Sequence, residues 1–583
     1  MGENFVKEIK EVIEIMNSPI DSMFKKIAMD SFKRKLGIEE DKTISEYYYE
    51  TAKNNKEKGV VYTPYTMAKY LVKNSIVMED IINNPFLRIV DPACGTGNLL
   101  IQCFHHLKEI YKSNIEGINK KNNLALNMNN IDKHIITNNL FGFDIDKVAL
   151  EILKLDLFLD SGEITKNLFN EDFLFENSEN IYNIVIGNPP YIGPKSIDKE
   201  YSITLKQRYS EVFKDKSDIS YCFFKKSIDI LVKGGKLAFI TSRYFLESLS
   251  GKDLRRIIRE QMAIYKLIDF YGSRPFKGVG IDPVIIFMEK NQYKDGEFEV
   301  IKPLSDKGRK DDNFYNSIFL NKGEDFHRFF VDQKSLQVDP WIIRDNQVKN
   351  IISKIEDRCE YYLLDICTSH QGIITGCDRA FVLQKETAEK EGIEEEILKP
   401  WIKGSYIRKN EVLKQNSYLI YSDSIKDEAN CPKAIKHISE YKEKLSMRRE
   451  CARGFRKWYQ LQWGRTQNIF EERKIIFPFK ASSNKFALDE GCYFSADVYA
   501  LRLKENSEFS YEFLLFLLNS KLYEFYFKAF AKKLGEDLYE YYPNNLMKLK
   551  IPSIKSFKDY SEEELYSYFH ITEEEENIIE KSL

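Results

Sequence analysis

RIVDPACGTGNLL, residues 88–100, decides the fold. Arg88-Ile89-Val90 is a short apolar run that reads as a buried strand ending at Asp91. Pro92, Ala93 and Cys94 lead into a tight turn through Gly95 and Gly97, and a helix begins near Asn98. Glycines at such a strand-to-helix turn permit positive φ and let a ligand approach bare backbone at a helix N-terminus. The spacing is not GxGxxG, and the Lys-Ser/Thr pair of a P-loop is missing, so neither a dinucleotide fingerprint nor a triphosphate cradle fits.

Two acidic positions follow in chain order. Phe143-Asp144-Ile145-Asp146 closes a second strand-like run, where a carboxylate is placed to hold ribose hydroxyls. Asp172-Phe173 comes next, offering a carboxylate for an adenine amino group and an apolar neighbour for its ring. Taken singly, each Asp reads equally well as a helix cap. In series they outline a nucleoside pocket along one sheet edge. A third apolar run, Ile184-Val185-Ile186, runs directly into Asn188-Pro189-Pro190-Tyr191. Two prolines can neither continue a helix nor donate to a sheet ladder, so the chain leaves this strand stiffly.

From about 58 to 295, strand-like runs alternate with amphipathic helical stretches, which predicts a mostly parallel α/β sheet. The expected strands are Arg88–Val90, Leu140–Phe143, Asn183–Gly187, Lys236–Thr241, Tyr265–Tyr271 and Val284–Met288. The expected organisation is an N-terminal helical arm over 1–50, an α/β domain over 51–295, a connector over 296–345 containing the hydrophilic SDKGRKDDN, and a mixed α/β domain over 346–583. A net charge of -3 over 583 residues means that any nucleic-acid affinity must come from a local basic surface. Nine scattered cysteines without a CxxC argue against a disulfide frame or zinc ribbon and for a reducing compartment. His105 and His106 have no further ligands at useful spacing, so no metal is expected. No signal-peptide core or membrane-length apolar run is present, and Val6 breaks the myristoylation pattern; the expectation is a cytoplasmic protein.

DPACGTG, FDID, EDFL and NPPY, in that order, resemble the motifs of the S-adenosylmethionine-dependent amino methyltransferases. With the catalytic core first and the recognition region last, the arrangement is similar to the gamma class of N6-adenine DNA methyltransferases. Segments beyond the core, such as QGIITGCD, RKWYQLQWGR and SADVY, resemble the stand-alone clostridial members of that family. The resemblance implies a Rossmann-like class I methyltransferase sheet with an N-terminal helical arm and a C-terminal mixed α/β target-recognition domain. It implies S-adenosylmethionine as cofactor, held by Tyr62, Thr63 and Pro64 of a GxxYTP-like element, by Asp91, Pro92, Ala93, Cys94, Gly95, Gly97 and Asn98, and by Asp144, Ile145, Asp172, Phe173 and Asn188. The family's usual Tyr-Tyr before Thr-Pro is Val61-Tyr62 here.

The resemblance also gives the proline pair a task. An exocyclic amino group is a poor nucleophile because its lone pair is delocalised into the ring. The Asn188 side-chain oxygen and the Pro189 carbonyl could accept hydrogen bonds from both of its N–H groups, with Pro189 and Pro190 fixing the direction. Tyr191 and, by family position, Phe276 would stack on the base. That base must leave the duplex at a cost of a few kcal/mol, while one aromatic stack returns about 1–3 kcal/mol.

Between Tyr441 and Lys485 there are twelve Lys/Arg against four Asp/Glu, interleaved with aromatics and amides. The commoner meaning of such a run is a solvated basic face over an aromatic core. Beside a methyltransferase core it marks the double-stranded DNA contact, with Arg453, Arg456, Lys457, Trp458, Gln462 and Arg465 as the candidates. Expected, therefore, is a monomeric, stand-alone, site-specific adenine methyltransferase. The rival readings are the methylation subunit of a restriction-modification system, a cytosine N4 methyltransferase, and an RNA base methyltransferase.

Overall fold

The computed structural model describes residues 3–583 except 40–41, 53–62, 178–181, 194–195, 215–216, 272–274, 276–281, 292–295, 304–311, 320–325, 339, 342, 414–415, 506 and 535–537. The chain forms two compact units, Met1–Ile343 and Arg344–Leu583.

The first unit is built on a nine-stranded sheet with strand order β3-β2-β1-β4-β5-β7-β6-β8-β9. The strands are β1 (Ile89–Asp91), β2 (Leu140–Phe143), β3 (Leu168–Phe169), β4 (Tyr182–Gly187), β5 (Leu231–Ser242), β6 (Met262–Asp269), β7 (Pro283–Lys290), β8 (Glu297–Pro303) and β9 (Phe326–Asp332). β3, β2, β1, β4 and β5 pair in parallel, whereas β7 is antiparallel to both β5 and β6. All six strands expected from the apolar runs are present.

Both faces of this sheet are covered, and the alternation along each strand shows why. Ile184 and Ile186 of β4, with Ala238 and Ile240 of β5, join one core with Leu71, Leu100, Phe104 and Leu107. Val185, Leu237 and Phe239 point the other way, into a core with Phe223, Phe224, Leu254 and Ile258. The helices that matter for the site are α1 (Glu3–Asn17), α2 (Ser22–Lys35), α3 (Ile44–Ala52), α4 (Tyr65–Ser75), α5 (Met78–Asn83), α6 (Asn98–Asn122), α7 (Ile131–His134) and α8 (Lys147–Ser161).

Residues 296–345, expected as a connector, instead extend the sheet through β8 and β9. Their strand pattern is real, with Phe298 and Val300 facing one core and Ile301 the other. The polar SDKGRKDDN stretch between them hides it in the sequence.

The N-terminal arm docks on α8. Phe5, Ile9, Val12, Met16, Met29 and Phe32 form a small core with Ile152, Leu155 and Phe158. Asp156, 3% exposed, fastens α3 by accepting the backbone N–H groups of Ile44 and Ser45, each at 2.9 Å. It therefore caps a helix on a different element from its own.

The second unit holds two four-stranded sheets. In one, Cys367–Gln371, Val498–Leu503, Lys474–Pro478 and Ala487–Asp489 pair antiparallel in that order. In the other, Val382–Gln384, Ser417–Ile420, Leu398–Ile402 and Tyr493–Phe494 are neighbours. Helices Tyr511–Asn519, Lys521–Phe530, Glu562–Phe569 and Glu573–Ser582 complete its aromatic core. The fully buried Lys474 ammonium is neutralised by Asp489 at 2.6 Å. All nine cysteines are free thiols, and no described helix is long and apolar enough to cross a membrane.

Asp156→Ala is expected to destabilise the first unit by about 2 kcal/mol, because two buried backbone donors lose their acceptor. Urea unfolding of the variant checks this, with the loss read as a lower midpoint at unchanged slope.

Candidate active site

The carboxyl ends of β1, β2 and β4 lie side by side. Asp91 of β1 is in register with Gly142 of β2, and Val90 pairs with Val185 of β4. The segments that follow these three strands, Pro92–Asn98, Asp144–Asp146 and Asn188–Tyr191, therefore meet at one edge.

Positive φ at Gly95 (+51°) and Gly97 (+86°) shapes the first of them. A Cβ on Gly97 would lie 2.0 Å from Leu153 Cδ1 of α8, so only glycine lets the turn pack there. At Gly95 the same position opens into free space. Asp91 is 2% exposed and accepts the Ala93 N–H at 3.0 Å. Burial, with the Asp144 carboxylate close by, pushes its carboxyl up to about 8. Cys94 is a buried wall residue whose N–H donates to the Phe143 carbonyl at 2.9 Å. The pyrrolidine of Pro92 backs onto Gly187, where an added Cβ would approach it to 3.1 Å.

Asp144 spans the edge: one oxygen accepts the Gly95 N–H at 2.8 Å and the other the Asp146 N–H at 2.8 Å. Burial raises its carboxyl above the usual range. Asp146 caps α8. Beside them Ile145 is 77% exposed, an apolar side chain left open at the mouth of the site. Asp172 accepts the Leu174 N–H at 3.0 Å and the Tyr201 hydroxyl at 2.8 Å. Phe173, expected to flank an adenine ring, is only 2% exposed and packs against Phe143 and Phe223, because the apolar core beneath the edge takes it in.

Asn98, at the start of α6, donates to the Thr63 carbonyl at 3.0 Å, and Asn188 Nδ2 donates to Thr63 Oγ1 at 3.1 Å. Thr63, preceding Pro64 at the N-cap of α4, thus ties together the turns after β1 and β4. Tyr62 and Phe276 lie outside the described residues. Pro189 is buried and Pro190 half-buried. Tyr191 is 7% exposed, and its hydroxyl donates to Asn188 Oδ1. Its ring, expected to stack on a base, is folded inward here, and burial holds its phenol well above the usual range.

Two participants carry no motif. Ser45 of α3 donates to Thr96 Oγ1 at 2.5 Å, bringing the arm onto the glycine turn, and Tyr201 supports Asp172. Only a close look at hydroxyls with no local cap to make could have flagged them.

In the second unit, Ile373 bridges to Ser495 and Ile374 to Trp463, so the QGIITGCD, SADVY and QLQWGR stretches converge. Arg453 and Lys457 are exposed there, and Trp458 is half-buried, with the Lys442 ammonium 4.9 Å above its ring. Gln462 is half-buried and its N–H donates to the Thr375 carbonyl at 3.3 Å. Arg456 pairs with Asp423 at 2.8 Å. Arg465, at φ +64°, donates to Gln371 Oε1 at 3.0 Å and the Gly372 carbonyl at 3.3 Å. Both arginines expected on phosphates thus already have protein acceptors that fix their direction.

Known proteins share both units. Residues 138–276 match the family model of the Eco57I restriction-modification methylase. Residues 79–177 match the DNA-methyltransferase domain of MmeI, and residues 399–551 match the TaqI-like C-terminal specificity domain. Type II methyltransferase M.BstVI of Geobacillus stearothermophilus is 22% identical over 87% of this chain and 92% of its own length. Type II restriction enzyme and methyltransferase RM.Eco57I of Escherichia coli is also 22% identical, over 81% of this chain, which spans about half (54%) of that longer protein. Among solved structures, the Type IIL restriction-modification enzyme MmeI in complex with DNA superposes with a TM-score of 0.63 at 13% identity, covering 89% of this chain and 72% of the other. The fold is thus a Rossmann-like methyltransferase sheet followed by a TaqI-like specificity domain, and along most of its length the chain is similar to Type II DNA methyltransferases of restriction-modification systems.

Proposed function

We propose that the protein transfers a methyl group from S-adenosylmethionine to the N6 amino group of an adenine flipped out of duplex DNA. The observation that carries this reading is the placement of Asn188 and Pro189 directly beside the glycine turn of β1, with Thr63 bonded to both Asn98 and Asn188. The residues at the edge fit the cofactor. Open space at Gly95 and the exposed face of Ile145 leave room for a nucleoside between Asp144 and Asp172. When bound, the cofactor supplies an electrophilic sulfonium methyl group, so the chain itself need only orient the acceptor nitrogen.

That orientation falls to Asn188 Oδ1 and the Pro189 carbonyl, which accept the two amino N–H groups and favour a tetrahedral nitrogen. The proton leaves after the methyl group has arrived, and no strong base is called for. The Tyr191 hydroxyl donates to Asn188 Oδ1, and stacking on a base calls for the ring to turn out and give up that bond. That motion frees the acceptor and offers a stacking face together. Similarity to M.BstVI over nearly that methyltransferase's whole length supports methyl transfer as the activity. The matches to a DNA-methyltransferase domain and a TaqI-like specificity domain support DNA over RNA as the substrate. We read the protein as a cytoplasmic monomer.

Incubation with labelled S-adenosylmethionine and mixed-sequence duplex DNA, followed by digestion to nucleosides, tests the reading. N6-methyladenine is expected; N4-methylcytosine would correct the base, and label in RNA alone would overturn the assignment. Asn188→Ala should abolish transfer while cofactor binding persists. Tyr191→Phe, which keeps the ring and removes only the hydroxyl, should retain activity, whereas Tyr191→Ala should lose about tenfold or more in turnover of DNA through the missing stack.

The Asp91 carboxyl gives a pH signature. If the sulfonium binds beside Asp91, it lowers the carboxyl from about 8 and binding releases a proton. Affinity for S-adenosylmethionine should therefore rise as the pH climbs towards 8. Titration calorimetry should find a flatter curve for the uncharged thioether S-adenosylhomocysteine.

A further inference from the structure

Between Met447 and Trp458 the chain carries five cations and one carboxylate, and in their midst stands Phe455 with 75% of its surface exposed. Met447 is 71% exposed. Isolated exposed apolar residues are ordinary on protein surfaces. Phe455 differs in how firmly it is presented.

Gly454, at φ +74°, turns the chain back, its N–H donating to the Cys451 carbonyl at 2.9 Å. The next two N–H groups, of Phe455 and Arg456, both donate to the Glu450 carbonyl, at 2.9 and 3.3 Å. Arg448 lashes the base of this turn with bonds to the carbonyls of Trp458 (2.9 Å), Gln460 (2.8 Å), Thr375 (3.2 Å) and Leu445 (3.0 Å). On the far side Arg456 is fixed to Asp423. A large ring is therefore held out on a rigid turn, with exposed Arg449, Arg453 and Lys457 around it. Rigid presentation removes the ordering cost of binding, and the surrounding charge matches phosphates on either side of an apolar target.

We propose that Phe455 is a wedge that enters duplex DNA between two base pairs while Arg449, Arg453 and Lys457 hold the flanking phosphates. Apolar side chains inserted in this way unstack a base step and bend the duplex. A locally unstacked duplex also gives up a nucleotide more readily. The proposal rests on the DNA-methyltransferase reading and adds to it a DNA contact made by the second unit.

The test uses the full chain, a short duplex carrying its mapped methylation site, and 2-aminopurine placed at each position in turn. With the wild-type protein, fluorescence should rise at the target base and at a second, separate step. Phe455→Ala should lose the second signal, keep the first, and bind about tenfold more weakly at an unchanged slope of affinity against salt. Phe455→Leu, still apolar, should restore most of the binding. Arg453→Ala should instead lower the salt slope by about one unit. If Phe455→Ala matches the wild type in affinity and in every 2-aminopurine signal while DNA is still methylated, the wedge is wrong and the methyltransferase reading stands. Failure of the wild-type protein to methylate DNA would overturn the reading itself.

Discussion

The parallel pairing of β1 with β4 is the constraint on which the site depends. Ile89 lies against Ile184 and Val90 against Val185 at the point where the strand order turns from descending to ascending. Connections leave the two strands towards opposite sides of the sheet there, which opens a crevice at their carboxyl ends. The turn holding Asp91, Gly95 and Gly97 forms one wall, and Asn188-Pro189-Pro190-Tyr191 forms the other. A shift of a single residue in this register would exchange the faces of every side chain on β4. It would carry Ile184 and Ile186 into the core now filled by Val185.

Around that crevice, polar groups are satisfied by one another. Thr63 is bonded to Asn98 and Asn188, Asp144 to Gly95, and Asp172 to Tyr201. Such links hold the walls at a fixed spacing, so a ligand meets a prepared surface and loses little in ordering it. Asp91 stands apart, as a buried carboxyl whose charge no basic side chain offsets among the contacts that shift it. Burial therefore disfavours its charged form.

Much of this was legible in the sequence because the decisive segments are local. Gly95 and Gly97 announce their backbone angles, and the prolines after Asn188 announce a stiff exit. The apolar runs gave all six expected strands, since strands buried on both faces are continuous in their hydrophobicity. What escaped depends on partners distant in the chain. β8 and β9 were masked by the polar stretch between them, and Ser45 reaches Thr96 across 51 residues. The inward turn of Tyr191 depends on where its hydroxyl finds an acceptor, and so does the fastening of Arg456 and Arg465 to protein groups. Side-chain direction of that kind has no signature in spacing or composition.

The anchorage of the N-terminal arm bears on how the chain assembles. Ile44 and Ser45 wait for Asp156, more than a hundred residues downstream (sequence separations of 112 and 111). At ribosomal rates of about 5–20 residues per second, that delay lasts roughly 5–20 seconds. For that interval the apolar faces of α1 and α2 have no α8 to cover them. The earliest part of the first unit to be synthesised is thus secured only once α8 has been made, and through Ser45 and Thr96 its docking also braces the glycine turn.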